Sequence, residues 1–174
     1  MSNEPSFRTK EAFKIIGIER YTDTGIPAIR EAWAEFSKRS HEIPNAVLPG
    51  VYGIEDYSRD FDMNTGGFPK YYYIAGYEVS DLSNIPSRMV GKEIAAANYA
   101  VFSYNGAVDG IHAFFGFIYG EWLPKSGYSM DPKLSLDFEH YSEPNMDMNN
   151  VHLEIWVPVI KEWKQASHKK IIKK

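Results

Sequence analysis

The chain has 174 residues and a mass of 19.9 kDa, enough for one domain with a sizeable core or two small, closely packed halves. It is 44% hydrophobic and 24% charged with a net charge of −4, which excludes wholesale disorder and nucleic-acid binding by charge over the whole chain. It has no Cys, which excludes a disulfide scaffold, a thiolate metal site and a cysteine nucleophile, and its aromatic fraction is high at 15%.

No basic segment followed by an apolar run opens the chain, and its most apolar window, 111–123, is interrupted by His112, two Gly and Glu121. The expectation is a cytoplasmic protein with no membrane segment. From Lys161 onward the chain carries six Lys and one Glu, a charge of +5 that leaves −9 for the rest. Such a tail suits either a solvated helix end or binding to nucleic acid or an acidic surface.

In chain order, Phe13–Tyr21 is rich in Ile and aromatics and reads as a strand. Gly25-Ile26-Pro27 opens a helix that runs to about Ser40, with Ile29, Trp33 and Phe36 at helical spacing. After a loop with Pro44 and Pro49, residues 51–57 and 71–79 read as strands around an acidic, Gly-rich turn. In that turn Asp60, Asp62 and Asn64 begin a calcium-loop pattern. Its glycine comes one residue late and its closing Glu is replaced by Tyr71, so a tight turn accounts better for the segment.

The second half repeats the order. A strand lies within 92–104, and a helix over 110–122 is ended by Pro124. Strands follow over 136–142 and 151–160. The expected fold class is α+β, as two pseudo-symmetric β-α-β-β halves with an antiparallel sheet. Helices are expected to cover one face of that sheet, leaving the other to meet solvent, a partner or a ligand cleft. Residues 1–10 read as an extension, 11–162 as the domain and 163–174 as a Lys-rich tail.

In the last strand Val151, Leu153, Ile155, Val157 and Val159 share the face expected beneath the helices. Glu154 and Trp156 share the other. Aromatic faces attract organic cations, and a buried carboxylate invites one. Glu154 beside Trp156 is therefore a candidate binding site, with Tyr52, Tyr73 and Tyr104 as further lining; a half-exposed Glu beside core aromatics is the plain alternative. Tyr71, Tyr73 and Tyr77 share one face of their strand. His140, His152 and Glu154 have no recognisable zinc-ligand spacing, so no metal and no cofactor is expected.

The motifs Trp122-Leu123-Pro124-Lys125-Ser126-Gly127-Tyr128, Phe138-Glu139-His140-Tyr141 and Leu153-Glu154-Ile155-Trp156-Val157-Pro158-Val159 resemble the GyrI-like (AraC-type) effector-binding domain. Multidrug-responsive transcription regulators carry this domain, as do stand-alone and integron-associated drug-binding proteins. The resemblance runs from about Phe13 to Lys161 and is strongest after Asn98. It implies two β-α-β-β halves with a cleft between them, and it implies Glu154 at the cleft centre, facing cationic aromatic ligands. About a dozen residues precede the first strand, so direct DNA contact is not expected.

Three functions follow. The favoured one is a binding protein for small hydrophobic or cationic molecules. The second is a hydrolase of electrophilic, cyclopropane-type compounds with Glu154 as general base. The third is a protein-interaction or inhibitor module acting through the acidic body.

Overall fold

A computed structural model describes residues 4–63, 66–143, 147 and 149–162. The Lys-rich tail lies outside the described residues, as do Asn64 and Thr65 of the acidic turn.

The strands are β1 (Ser6–Lys10), β2 (Phe13–Tyr21), β3 (Val51–Asp56), β4 (Tyr72–Val79), β5 (Val90–Ile94), β6 (Ala97–Gly106), β7 (Tyr128–Met130), β8 (Leu136–Tyr141) and β9 (Val151–Lys161). Helix α1 (Ile26–Arg39) joins β2 to β3, and α2 (Ile111–Phe117) follows β6. Among the described residues the strands form one antiparallel sheet in the order β1-β6-β9-β8-β3-β4-β2-β5, with β7 paired to β9. The first half contributes β3-β4-β2 and the second β8-β9-β6. They meet at the β3–β8 ladder, which runs from Val51 opposite Tyr141 to Asp56 opposite Leu136. The α+β class and the doubled β-α-β-β order are those expected from the sequence.

Three local features differ from expectation. Residues 6–10, read as an extension, form β1 on β6. The segment read as one strand over 92–104 is two, β5 and β6. Pro124 does not end the second helix. A π turn over Ile118–Trp122 resets the hydrogen-bond ladder, and Pro124 falls in the first turn of α3 (Leu123–Ser126), where its missing N–H costs nothing. Gly127, at φ 76°, closes that helix in the left-handed conformation.

Both sheet faces are packed. Alternate positions of β9, from Val151 to Val159, join Ile16, Ile18, Ala32, Phe36 and Phe102 beneath the helices. The far face buries Phe13, Ile15, Tyr52, Ile54, Tyr99 and Phe138 in a second cluster. Chain connection explains that second core. Strands β1 and β2 are joined by only Glu11 and Ala12, yet they stand first and seventh in the strand order. The sheet must therefore bend back over its far face. Lys10 bridges the bend, with its Nζ 3.1 Å from Glu78 on β4 and 4.3 Å from the centre of the Phe13 ring.

Candidate functional site

The cleft opens on the helix side, not on the far face as the sequence reading placed it. The reason is packing: bending of the sheet fills the far face with side chains, whereas α1 and α2 stand apart over the β3–β8 seam. Between them lies a cavity of about 1530 Å³. Its walls include Ile29 and Trp33 from α1, Ile111 and Phe115 from α2, and Phe68 from the β3–β4 loop.

The floor follows from strand parity. In β3 the positions facing the helices are Val51, Gly53 and Glu55. In β8 they are Asp137, Glu139 and Tyr141, and in β4 Tyr73, Ala75 and Tyr77. Glu55 lies opposite Asp137 and Tyr73, and Gly53 opposite Glu139. Three carboxylates and a group of tyrosines thus converge on the seam, where each half contributes one strand. Glu55 is 7% exposed, Glu139 5% and Asp137 0%, and among the described residues none of them pairs with Lys, Arg or His. Glu55 and Glu139 line the cavity, and Asp137 lies behind them.

Hydroxyl groups serve these acids. Tyr73 Oη donates to Glu139 Oε2 at 2.7 Å and Tyr141 Oη donates to the same oxygen at 3.0 Å. Trp33 Nε1 in turn donates to Tyr73 Oη at 2.9 Å. Tyr57 Oη lies 2.6 Å from Glu55 Oε2 and 3.0 Å from Asp137 Oδ2, and Tyr119 Oη also contacts Asp137 Oδ2. Burial pushes all three carboxyls up. Glu55 rises well above its ordinary value, helped by the charges of Asp137 and Glu139, and Asp137 rises to about 7. Burial raises Glu139 too, although bonds from Tyr73 and Tyr141 oppose it. The Tyr57, Tyr73, Tyr119 and Tyr141 hydroxyls are pushed well above the phenol range by burial and by these same acids, so they stay protonated as donors.

Of the sequence-predicted lining, Tyr73 is in the cavity wall. Tyr52 lies on the far face, packed on Phe13 and Phe138 and donating to Glu78 at 2.7 Å. Tyr104 packs against Phe114 and donates to the Ala107 carbonyl at 2.6 Å, away from the cavity. Glu154 and Trp156 are on the far face, as parity required, and so not at the cleft centre. Arg8 Nη1 already meets Glu154 Oε1 at 2.8 Å, and Trp156 Nε1 donates to its Oε2 at 3.1 Å. His140 Nδ1 stands 3.9 Å from Glu154, while His152 contacts Asn105, so the two histidines do not converge. Among the described residues no group of His, Asp and Glu is arranged to hold a metal, and no helix is long and apolar enough to cross a membrane.

Sequence reasoning missed Glu55, Asp137, Tyr57 and Tyr119, and gave Glu139 no role. The available signal was phase: Asp137 and Glu139 share a strand face with Tyr141, and three acids inside apolar strands are costly without a purpose.

The model of the GyrI-like small molecule binding domain matches residues 3–160. The transcriptional regulator BrlR of Pseudomonas aeruginosa is 30% identical over 154 residues, 86% of this chain. The match spans about half of that relative's length, 53%. Among solved structures, SAV2435 bound to tetraphenylphosphonium superposes with a TM-score of 0.64 at 18% identity, over 90% of this chain and 94% of that one. An integron cassette protein from the mobile metagenome of Vibrio cholerae gives 0.63 at 15% identity, over 90% of this chain and 96% of that one. Sequence and fold agree, and the chain belongs to the GyrI-like small molecule binding domain family.

Proposed function

We propose that this chain binds bulky, apolar organic cations in the cavity above the β3–β8 seam. The observation that carries this reading is the pair of buried carboxylates, Glu55 and Glu139, on the floor of an aromatic-walled cavity, with no basic side chain paired to either among the described residues. A buried carboxylate is costly until a cation or a proton meets it. An organic cation supplies the charge, and aromatic faces add about 0.5–2 kcal/mol each to its binding. The cavity, at about 1530 Å³, exceeds the roughly 300–1,000 Å³ usual for drug-sized ligands, which favours bulky ones. The relative solved with tetraphenylphosphonium, a bulky aromatic cation, supports the same ligand class.

The test is calorimetric titration with tetraphenylphosphonium and with neutral triphenylphosphine oxide, in wild type and Glu139→Gln. Loss of one buried charge partner should weaken the cation about ten- to hundredfold, a difference of roughly 1.4–2.7 kcal/mol. The neutral compound should change little. Equal loss for both would overturn the electrostatic reading.

A further inference from the structure

We infer that the cavity takes up its cation in exchange for a proton: Glu55 and Asp137 share one proton when the cavity is empty, and the arriving positive charge expels it to solvent. This inference rests on the cation-binding reading.

The geometry points to the proton. Three close oxygen–oxygen contacts join this group: Tyr57 to Glu55, Tyr57 to Asp137 and Tyr119 to Asp137. The two tyrosines bring only two hydroxyl protons. Tyr71, which also bonds Glu55, serves only its own contact. A further proton on a carboxyl completes the set by donating to Tyr57 or to the facing acid. Asp137 Oδ1 points to the same conclusion. It is buried and meets no donor among the described residues, and Asp137 is 0% exposed. A carboxylate oxygen in that position would carry uncompensated charge, whereas a neutral acid would not. Glu139 differs. It receives two hydroxyl donors of its own, from Tyr73 and Tyr141, and so remains the ionised member.

Among the described residues no Lys, Arg or His pairs with either acid. The groups facing the pair are Tyr71 just before β4, Tyr73 from β4, Glu139 and Tyr141 from β8, Tyr57 beyond β3 and Tyr119 beyond α2. Toward the rim stand Arg30, paired with Asp109 at 3.3 Å, Asp147, and His112 stacked on Phe68. Burial already holds Asp137 and Glu55 toward their neutral forms. A ligand cation beside Glu55 reverses that balance, because an opposite charge at close range favours the ionised carboxyl. Charge is conserved: one positive charge enters and one proton leaves. The cavity thus distinguishes permanent cations, whose apparent affinity climbs with pH, from neutral molecules of the same shape, which displace nothing.

The experiment is titration with tetraphenylphosphonium near neutral pH in two buffers of very different ionisation heat. The difference in apparent heat gives the protons released, expected on the order of one per ligand at most. Infrared spectra of the free protein should show a buried carboxylic-acid C=O band that fades as the ligand saturates it. Asp137→Asn, checked for folding by thermal denaturation, should bind with buffer-independent heat, as should Glu55→Gln. Glu139→Gln should bind more weakly yet still release the proton, and His112→Gln should release it as wild type does. Binding with buffer-independent heat in wild type, or release that disappears in His112→Gln, overturns the exchange while leaving cation binding intact. Failure of tetraphenylphosphonium to bind at all removes both.

Discussion

Glu139 and Gly53 face each other across the β3–β8 ladder, and the empty position at 53 is what lets Glu139 reach Tyr73. A Cβ built on Gly53 would lie 2.0 Å from Tyr73 Oη and 2.6 Å from Glu139 Oε2. The hydrogen bond between those two side chains passes over the glycine. Gly53→Ala should therefore separate them and cost about 1–3 kcal/mol of stability by overpacking. It should also weaken tetraphenylphosphonium about as much as Glu139→Gln does. A thermal melt paired with a calorimetric titration reads both effects.

Glu154 gives a contrasting expectation. It sits on the far face with Arg8 and Trp156 already bonded to its two oxygens. Glu154→Gln should leave ligand affinity within about twofold, since a half-exposed ion pair outside the cavity contributes roughly 0–1 kcal/mol. A tenfold loss would move the binding site to the far face.

Two buried acids should give stability opposite slopes with pH. Burial raises the Asp137 carboxyl to about 7, so the folded protein holds a proton there that the unfolded chain releases. Stability from this group is full below the unfolded carboxyl range and declines as pH rises toward 7. Asp56 behaves in reverse. Burial would raise it, but Lys92 Nζ at 2.8 Å and two bonds from Ser58 hold it below the carboxylate range. Its contribution is present above the unfolded value and is lost as pH falls through the folded one. Melting temperature against pH should therefore be dome-shaped. Asp137→Asn should flatten the alkaline limb, and Lys92→Met, costing about 2–3 kcal/mol, should flatten the acid limb.

Trp33 links α1 to the acids through its N–H bond to Tyr73. Trp33→Phe keeps an aromatic wall but removes that donor. It should weaken the cation severalfold, about 1 kcal/mol. It should also abolish the ligand-induced part of the tryptophan fluorescence, which titration at fixed protein concentration measures.

The sequence carried the periodicity of these elements well and their mutual placement poorly. Alternation in β9 put Glu154 on the far side of the aliphatic stripe, and that parity holds. The grouping of Tyr71, Tyr73 and Tyr77 holds as well. What no local pattern contains is which side the cleft takes. That depends on the short β1–β2 connection, which bends the sheet and fills the far face. Strand β1 gave little warning, because four of its five residues are exposed and it shows no apolar alternation. The carboxylate cluster was hidden for a related reason. Glu55 and Asp137 are distant in sequence and meet only through the β3–β8 ladder, so neither strand alone reveals a partner for its acid. The Phe-Glu-His-Tyr motif did contain Glu139 and Tyr141; its place on the seam gives that motif its meaning.

The seam has a consequence for assembly. Each half carries its acids on the strand that would be a sheet edge without the other half. Burial of Glu55, Asp137 and Glu139 thus depends on both halves at once, through the six residue pairs of the β3–β8 ladder, so a change that loosens the ladder anywhere along its length returns water to all three acids.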